Sequence, residues 1–500
     1  MAQDRQSQRP HTSFDGGDLD CGNGLLLLIR RHIDPLAAGQ LLEILSTDST
    51  VKEDLPAWCR MTGNELVSIE PREGKQSAYL VCKGALVSPL PKAPATVAAA
   101  APVHPVIIGP MVRPLSVMGM GSWPRPRWML RAIHDRMEGR MSEEEFQAIA
   151  DDAVSQSVEA QLRAGADVLT DGEQRRDSYA SFVGGILDNC QLIPLTDLLP
   201  YVDDPVKFEK EMHALDIPAH EVRHPAVFGR ISRSKPLALH ELDYARTLSD
   251  KPVKIALPGP YLLTRTMWME CLSDRAYASR EELAEDVVQV LRAELHDLIH
   301  SGVGLVQFDE PVLSEVVFAR SQEGAGGRSF MCGALGEKKP IDEELAFARD
   351  LINAVVAGFP RERVGMHVCR GNWSPDESVA LAGDYRLLLP LFQQLNVGTY
   401  LLELATPRAG EIEILRDLPQ DCRIGVGVVN QKQQRIETVD EILVKAERAI
   451  ALFGPERVML NPDCGFATFA DNPLASSKIA EAKLKAIADA AARLRDKYRV

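Results

Sequence analysis

Residues 280–309 read REELAEDVVQVLRAELHDLIH SGVG LVQFD. From Arg280 to His300 the apolar residues recur at helical spacing. After Ser301-Gly302 the chain changes period, and Leu305-Val306-Gln307-Phe308-Asp309 is a short apolar run ending on an acid, the pattern of a buried strand. A helix feeding a buried strand is one β/α unit, and the unit repeats through residues 107–500. A helix over Ser142–Ala164 leads into Ala166–Thr170. Further strands are expected at Val253–Leu257, Val364–Val368, Tyr400–Glu403, Arg423–Val429 and Arg457–Asn461, with helices at Val439–Phe453 and Leu474–Lys497. Repeated units of this kind give parallel strands. The simplest closure is a (β/α)8 TIM barrel, although an open doubly wound sheet has the same periodicity. The stretch from Leu198 to Ser249 reads as an insertion without recognisable chemistry.

Working outward, residues 86–106 hold Pro89, Pro91, Pro94, Pro102 and Pro105 around the run Ala98–Ala101. This composition makes a semi-stiff linker and the clearest domain boundary. Ahead of it, residues 18–85 alternate compactly: a helix over Leu25–Ile33, a strand over Leu41–Ser46, a helix from Val51 to Thr62, then strands over Glu65–Ile69 and Ser77–Cys82. The expected fold is a small two-layer α/β sandwich of order β-α-β-α-β-β. Residues 1–17 are polar and expected to be disordered.

The composition narrows the function classes. With 56 Lys and Arg against 71 Asp and Glu, the net charge is −15, which disfavours nucleic acid as a partner. No apolar run approaches the eighteen residues of a membrane span, and no signal-peptide core follows the N-terminus. A cytoplasmic enzyme acting on small molecules fits these facts. Nine scattered cysteines point to reduced thiols, some of them metal ligands or carriers.

The chemistry concentrates at expected strand ends. His367 and Cys369 are two apart, so a strand presents both on one side. Glu403 closes Tyr400-Leu401-Leu402, and Cys464 follows Val458–Asp463. In a barrel these ends share the active face. Two thiolates, an imidazole and a carboxylate suit zinc over magnesium or calcium.

Five motifs then occur in order: Gly121-Ser122-Trp123-Pro124-Arg125, Asp171-Gly172-Glu173-Gln174-Arg175-Arg176-Asp177, Gln307-Phe308-Asp309-Glu310-Pro311, His367-Val368-Cys369 and Asn461-Pro462-Asp463-Cys464-Gly465. Together they resemble the catalytic barrel of cobalamin-independent methionine synthases, over nearly all of residues 107–500. The resemblance implies a zinc-dependent methyltransferase acting on the thiol of homocysteine, with 5-methyltetrahydrofolate as donor. It implies His367, Cys369, Glu403 and Cys464 as zinc ligands, with Ser122, Glu173 and Asp309 holding the amino and carboxylate ends of homocysteine. Glu403, a hard oxygen ligand, is the one expected to yield to the substrate thiol. This chain has no room for the extra N-terminal barrel of full-length family members and resembles the short, single-barrel type. It also carries Asn430 and Lys432 where the family has Asp and His. A methyl group leaves a tertiary amine only once that nitrogen is protonated. Asparagine cannot supply the proton, so Lys432 is the expected acid.

The stretch Leu19–Gly84 is similar to small sulfurtransferases of the TusA family, and Glu53-Asp54-Leu55-Pro56-Ala57-Trp58-Cys59 matches their second helix. Cys21 precedes the first helix, where the helix dipole favours thiolate, and the resemblance makes it the sulfur carrier. Gly22 and Gly24 stand where that family has prolines. Two other readings accompany this one. The barrel could be a zinc thiol alkyl- or methyltransferase with another donor or acceptor, coupled to sulfur relay by Cys21 and partner relay proteins. It could also be a non-catalytic zinc-containing scaffold for a sulfur carrier.

Overall fold

The computed structural model describes residues 9–19, 25–72, 74–84, 108–137, 139–194, 206, 223–268, 273, 276–318, 339–372, 374–470 and 473–500. The chain divides into two compact units, Met1–Val103 and His104–Val500. Cys21, the Pro/Ala stretch and most of residues 195–222 lie outside the described residues.

The small unit runs β1 (Thr12–Asp15), a helix at Leu26–Ile33, β2 (Leu41–Ser46), a helix at Val51–Met61, β3 (Glu65–Pro71) and β4 (Ser77–Cys82). Its sheet order is β1-β2-β4-β3, with β1 parallel to β2 and the other pairs antiparallel. The helices supply Leu25, Ile29, Ile33, Val51, Leu55 and Trp58 to a core closed by Leu42, Ile44, Tyr79 and Val81. Cys59 and Cys82 are buried there. The N-terminal segment expected to be disordered contributes β1. Pairing with β2 explains this, as does Phe14, whose ring stacks on His32 at 4.7 Å.

In the larger unit, β7 (Lys254–Pro258), β8 (Leu305–Asp309), β9 (Val364–Val368), β10 (Thr399–Leu402), β11 (Arg423–Val429) and β12 (Val458–Pro462) form a parallel sheet in sequence order. Parallel bridges Val117↔Leu460, Met118↔Val168 and Leu169↔Val253 join β12 back to β7 through two short segments. The circuit is therefore closed with eight members, a barrel and not an open sheet. These two segments are brief because side chains replace the ladder. Gln161 bonds both the N–H and the C=O of Thr170 at 2.9 Å, and Asp167 Oδ2 accepts from Val117 N at 2.9 Å.

The helices around the barrel start where the sequence caps them. Ser142 accepts from Glu145 N at the head of Glu143–Arg163, and Ser279 accepts from Glu282 N at the head of Arg280–His300. Thr438 and Glu441 form a capping box on Val439–Phe453. The region read as an insertion holds β6 (Arg223–Ser232), paired antiparallel with β5 (Asp188–Pro194), and a helix at Leu239–Thr247. Among the described residues, no helix is long and apolar enough to cross a membrane.

Candidate active site

The strands of the barrel end on the site. His367 faces the interior on β9, in register with Asp309 of β8 and Leu401 of β10. Its Nδ1 lies 3.0 Å from the carbonyl oxygen of Leu401. A carbonyl can only accept, so Nδ1 carries the proton and Nε2 presents a lone pair. That nitrogen is 3.5 Å from Cys464 Sγ. The ligand atoms of His367, Cys369 and Cys464 all lie within 4.8 Å of one another. Tetrahedral zinc places a thiolate sulfur and an imidazole nitrogen about 3.5 Å apart, given Zn–S of ~2.3 Å and Zn–N of ~2.0–2.1 Å. The donor set and its spacing therefore fit zinc. Cys369 is held well below the usual thiol range, first by the hydrogen bond from Cys464 and then by His367. Cys464 is raised correspondingly. Burial opposes charge on His367, but the hydrogen bond and charge of Cys369 push it up.

Glu403 is not brought into this cluster. Its Oε2 accepts from Arg370 N at 2.9 Å and its Oε1 pairs with Arg408. The carboxylate is 2% exposed and the Arg408 side chain 11%, so this is a desolvated ion pair. His367, Cys369 and Cys464 are therefore the residues of the sequence-read set whose ligand atoms come together.

A cavity of about 50 Å³ opens over the cluster. Ser122, Glu173, Asp309, His367, Cys369 and Cys464 all line it, so the structure gathers six of the sequence-read residues into one chamber. Three loops build its rim. The Ser122 loop is tied to the loop after β12 by Phe466 N to Ser122 O at 3.1 Å and Ala467 N to Ser122 Oγ at 3.3 Å. It is tied to the third loop by Trp123 N to Gly172 O at 2.9 Å. Gly172 and Glu173 are both left-handed, at φ 75° and 53°. That turn aims Glu173 at Gly121, where a Cβ would sit 2.2 Å from Glu173 Oε1. Arg125 donates to Glu173 O at 2.6 Å, and Arg176 forms a buried pair with Glu241 at 2.5 Å that holds the loop. Glu173 Oε2 is buried with no hydrogen-bond partner. Burial raises the Glu173 carboxyl and pushes Asp309 up to about 7.

Lys432 and Asn430 stand outside the lining. Lys432 is buried, with Nζ donating to Ser374 O at 2.8 Å. Its pKa is lowered by burial first and by Arg408 second. Asn430 donates to Glu377 Oε1 at 2.7 Å and accepts from Lys432 N at 3.0 Å. The sequence reading missed Lys254 and Gln307. Lys254, 0% exposed on β7, donates to Gln307 Oε1 at 2.5 Å and to Met120 O at 3.0 Å. Gln307 in turn donates to Asp309 Oδ1 at 2.7 Å. The available signal was a lysine set inside the apolar run Val253–Leu257, and a glutamine two residues before Asp309.

Comparison with known proteins agrees with the geometry. The family model for the cobalamin-independent synthase catalytic domain matches residues 115–199, 206–330 and 347–493. The chain belongs to that family. The sulfurtransferase TusA model matches residues 24–83, beginning just after Cys21. A methionine synthase of Saccharolobus solfataricus is 26% identical over 73% of this chain and 90% of its own length. One from Sulfolobus acidocaldarius is 27% identical over 69% and 84% respectively. Among solved structures, a B12-independent methionine synthase from Shewanella sp. W3-18-1 in complex with selenomethionine superposes with TM-score 0.56. It is 21% identical and the match covers 77% of this chain and 98% of that one. A putative vitamin-B12 independent methionine synthase from Listeria monocytogenes gives TM-score 0.52 at 18% identity, over 77% and 99%. These two likenesses carry the barrel fold.

Proposed function

We propose that the barrel is a cytoplasmic zinc-dependent S-methyltransferase that moves a methyl group onto the thiol of homocysteine, giving methionine. One observation carries the reading: three zinc-competent ligands share a single cavity with two buried carboxylates and Ser122. When bound, zinc lowers the pKa of a substrate thiol, and the thiolate is the form that attacks. His367, Cys369 and Cys464 hold the metal. Glu403 is the exchangeable ligand, because Arg408 and Arg370 N hold its carboxylate whenever it is off the metal. Glu173 and Asp309 take the ammonium end of homocysteine, and Ser122 the carboxylate end. Burial within the chamber keeps water from competing for those groups. Lys432, lowered by burial, is the acid for the departing donor.

For the donor, 5-methyltetrahydrofolate is the first choice. A second reading, another methyl donor or thiol, is favoured by Asn430 and Lys432, whose polar ends are engaged with Glu377 and Ser374 instead of the cavity. The small unit is assigned as a sulfur-carrier domain on its TusA match, with Cys21 as the carrier and sulfur-relay proteins as partners. A purely scaffolding barrel leaves the convergence of Glu173 and Asp309 on the ligand cluster without a purpose. The test is to incubate zinc-loaded protein with homocysteine and methylated folate, with and without glutamate tails, and to measure methionine by mass spectrometry. Methionine establishes both donor and acceptor. Its absence, with homocysteine still bound, discards the folate donor, and failure of homocysteine to bind discards the acceptor.

A further inference from the structure

One residue behind Asp309 is absent from the chamber's lining. Lys254 faces inward on β7 with its ammonium wholly buried, and its two acceptors, Met120 O and Gln307 Oε1, are both uncharged. Burying an ammonium costs several kcal/mol, and an apolar side chain of the same volume fills such a site as well or better. Burial lowers the Lys254 amine to about 7, and an amine kept in such a place calls for an explanation beyond packing. Gln307 provides one. It is two residues before Asp309 on β8, so both side chains point into the barrel. An amide has one accepting end and one donating end, and its orientation follows its partners. An ammonium can only donate, so Lys254 fixes Gln307 with Oε1 toward β7 and Nε2 toward Asp309, where it donates at 2.7 Å. Without Lys254 the amide oxygen loses its donor, and the hold of Gln307 on Asp309 rests on the single Nε2 bond.

We propose that Lys254 is a positioning residue for recognition of the substrate's amino group: through Gln307 it orients Asp309 so that the carboxylate faces the ammonium of the bound amino-acid thiol. The relay Lys254–Gln307–Asp309 thus selects a thiol that carries an amine over one that lacks it. This rests on the homocysteine reading above.

The experiment is calorimetric titration of full-length, zinc-loaded protein with L-homocysteine and with 4-mercaptobutyrate, which has the same chain, thiol and carboxylate but no amino group. Wild-type protein is expected to bind homocysteine about 10- to 100-fold more tightly, the scale of a hydrogen bond to a charged group. In Lys254→Met that preference falls close to one, while the Kd of 4-mercaptobutyrate shifts less than about twofold. Gln307→Leu does the same, and combining the two changes adds nothing, because both break one relay. If Lys254→Met fails to fold, Gln307→Leu carries the test. A preference retained in the variants, or equal weakening of both thiols, overturns the proposal and leaves homocysteine as substrate. A wild-type protein without preference overturns the homocysteine reading and the relay together.

Discussion

Replacing Cys464 and replacing Glu403 should have opposite signatures, although the sequence reads both as zinc ligands. A structural zinc site with four ligands binds with ~10–16 kcal/mol at neutral pH, or about 3 kcal/mol per ligand. Cys464→Ser removes one of the three atoms that converge within 4.8 Å, so zinc affinity should fall by about two orders of magnitude and methyl transfer with it. The fold should change little, because serine fills nearly the same space as cysteine. Glu403→Gln acts differently. Gln can still accept from Arg370 N, but Arg408 loses its counter-charge, and its Nε and Nη1 are already buried without partners. Stranding a buried guanidinium costs about 3 kcal/mol at the low end. For the roughly 400 residues of the barrel unit, at ~2.1 cal/mol/K per residue, that lowers Tm by about 4 °C. Zinc affinity should drop by no more than about tenfold, since the exchangeable ligand is absent in the three-ligand form. Competition with a chelating dye gives the affinities, and calorimetry of the metal-free proteins gives Tm. Glu403→Gln stripping zinc as completely as Cys464→Ser, with Tm unchanged, would refute the assignment of Glu403 as exchangeable.

Lys432→Met should lower the rate of methyl transfer by about 10²-fold while zinc content and homocysteine affinity stay the same; single-turnover kinetics with calorimetry separates the two, and an unchanged rate removes Lys432 as the acid. His224 is buried and pulled down to about 4 from ~6.5 when unfolded. Its contribution is therefore fully present above pH 6.5 and lost as pH falls toward 4, up to roughly 3 kcal/mol; His224→Leu should flatten the urea midpoint across that window, and an unaltered slope counts against it. Cys21→Ala should leave methyl transfer to free homocysteine within about twofold of wild type; loss of turnover with zinc retained would show that the two domains are catalytically coupled.

Most of the barrel was legible because its signals are local. The strands β8, β9 and β11 and the helix Val439–Phe453 occur where helical spacing gives way to apolar runs, and those patterns involve only neighbours in sequence. The parts that were not legible depend on distant partners. The strand-like pair Val117–Met118 lies between Pro114 and Gly119 and shows no period of its own; its place is set by Leu460 and Val168. β1 has a single apolar residue of note, Phe14, and becomes a strand through β2. The helix at Leu239–Thr247 was hidden in a stretch read as an insertion.

The same division runs through the site, and it separates chemistry from positioning. Metal ligation demands particular atoms, so His367, Cys369 and Cys464 announce themselves by type and by strand-end placement, and the cavity gathers them with Ser122, Glu173 and Asp309. What orients those atoms can be built from many residues, and the sequence gives no type to look for. Glu403 has ligand chemistry at the right strand end, yet where its carboxylate rests is decided by Arg408 and by the backbone of Arg370 on a neighbouring loop. Lys254 lies fifty-five residues from the acid it influences and acts through an amide with no charge of its own. An ammonium inside an apolar strand is nonetheless the one kind of positioning residue that a sequence can expose. Its burial is unfavourable enough to need a reason, and in a closed barrel the interior of the strand leads only to the chamber.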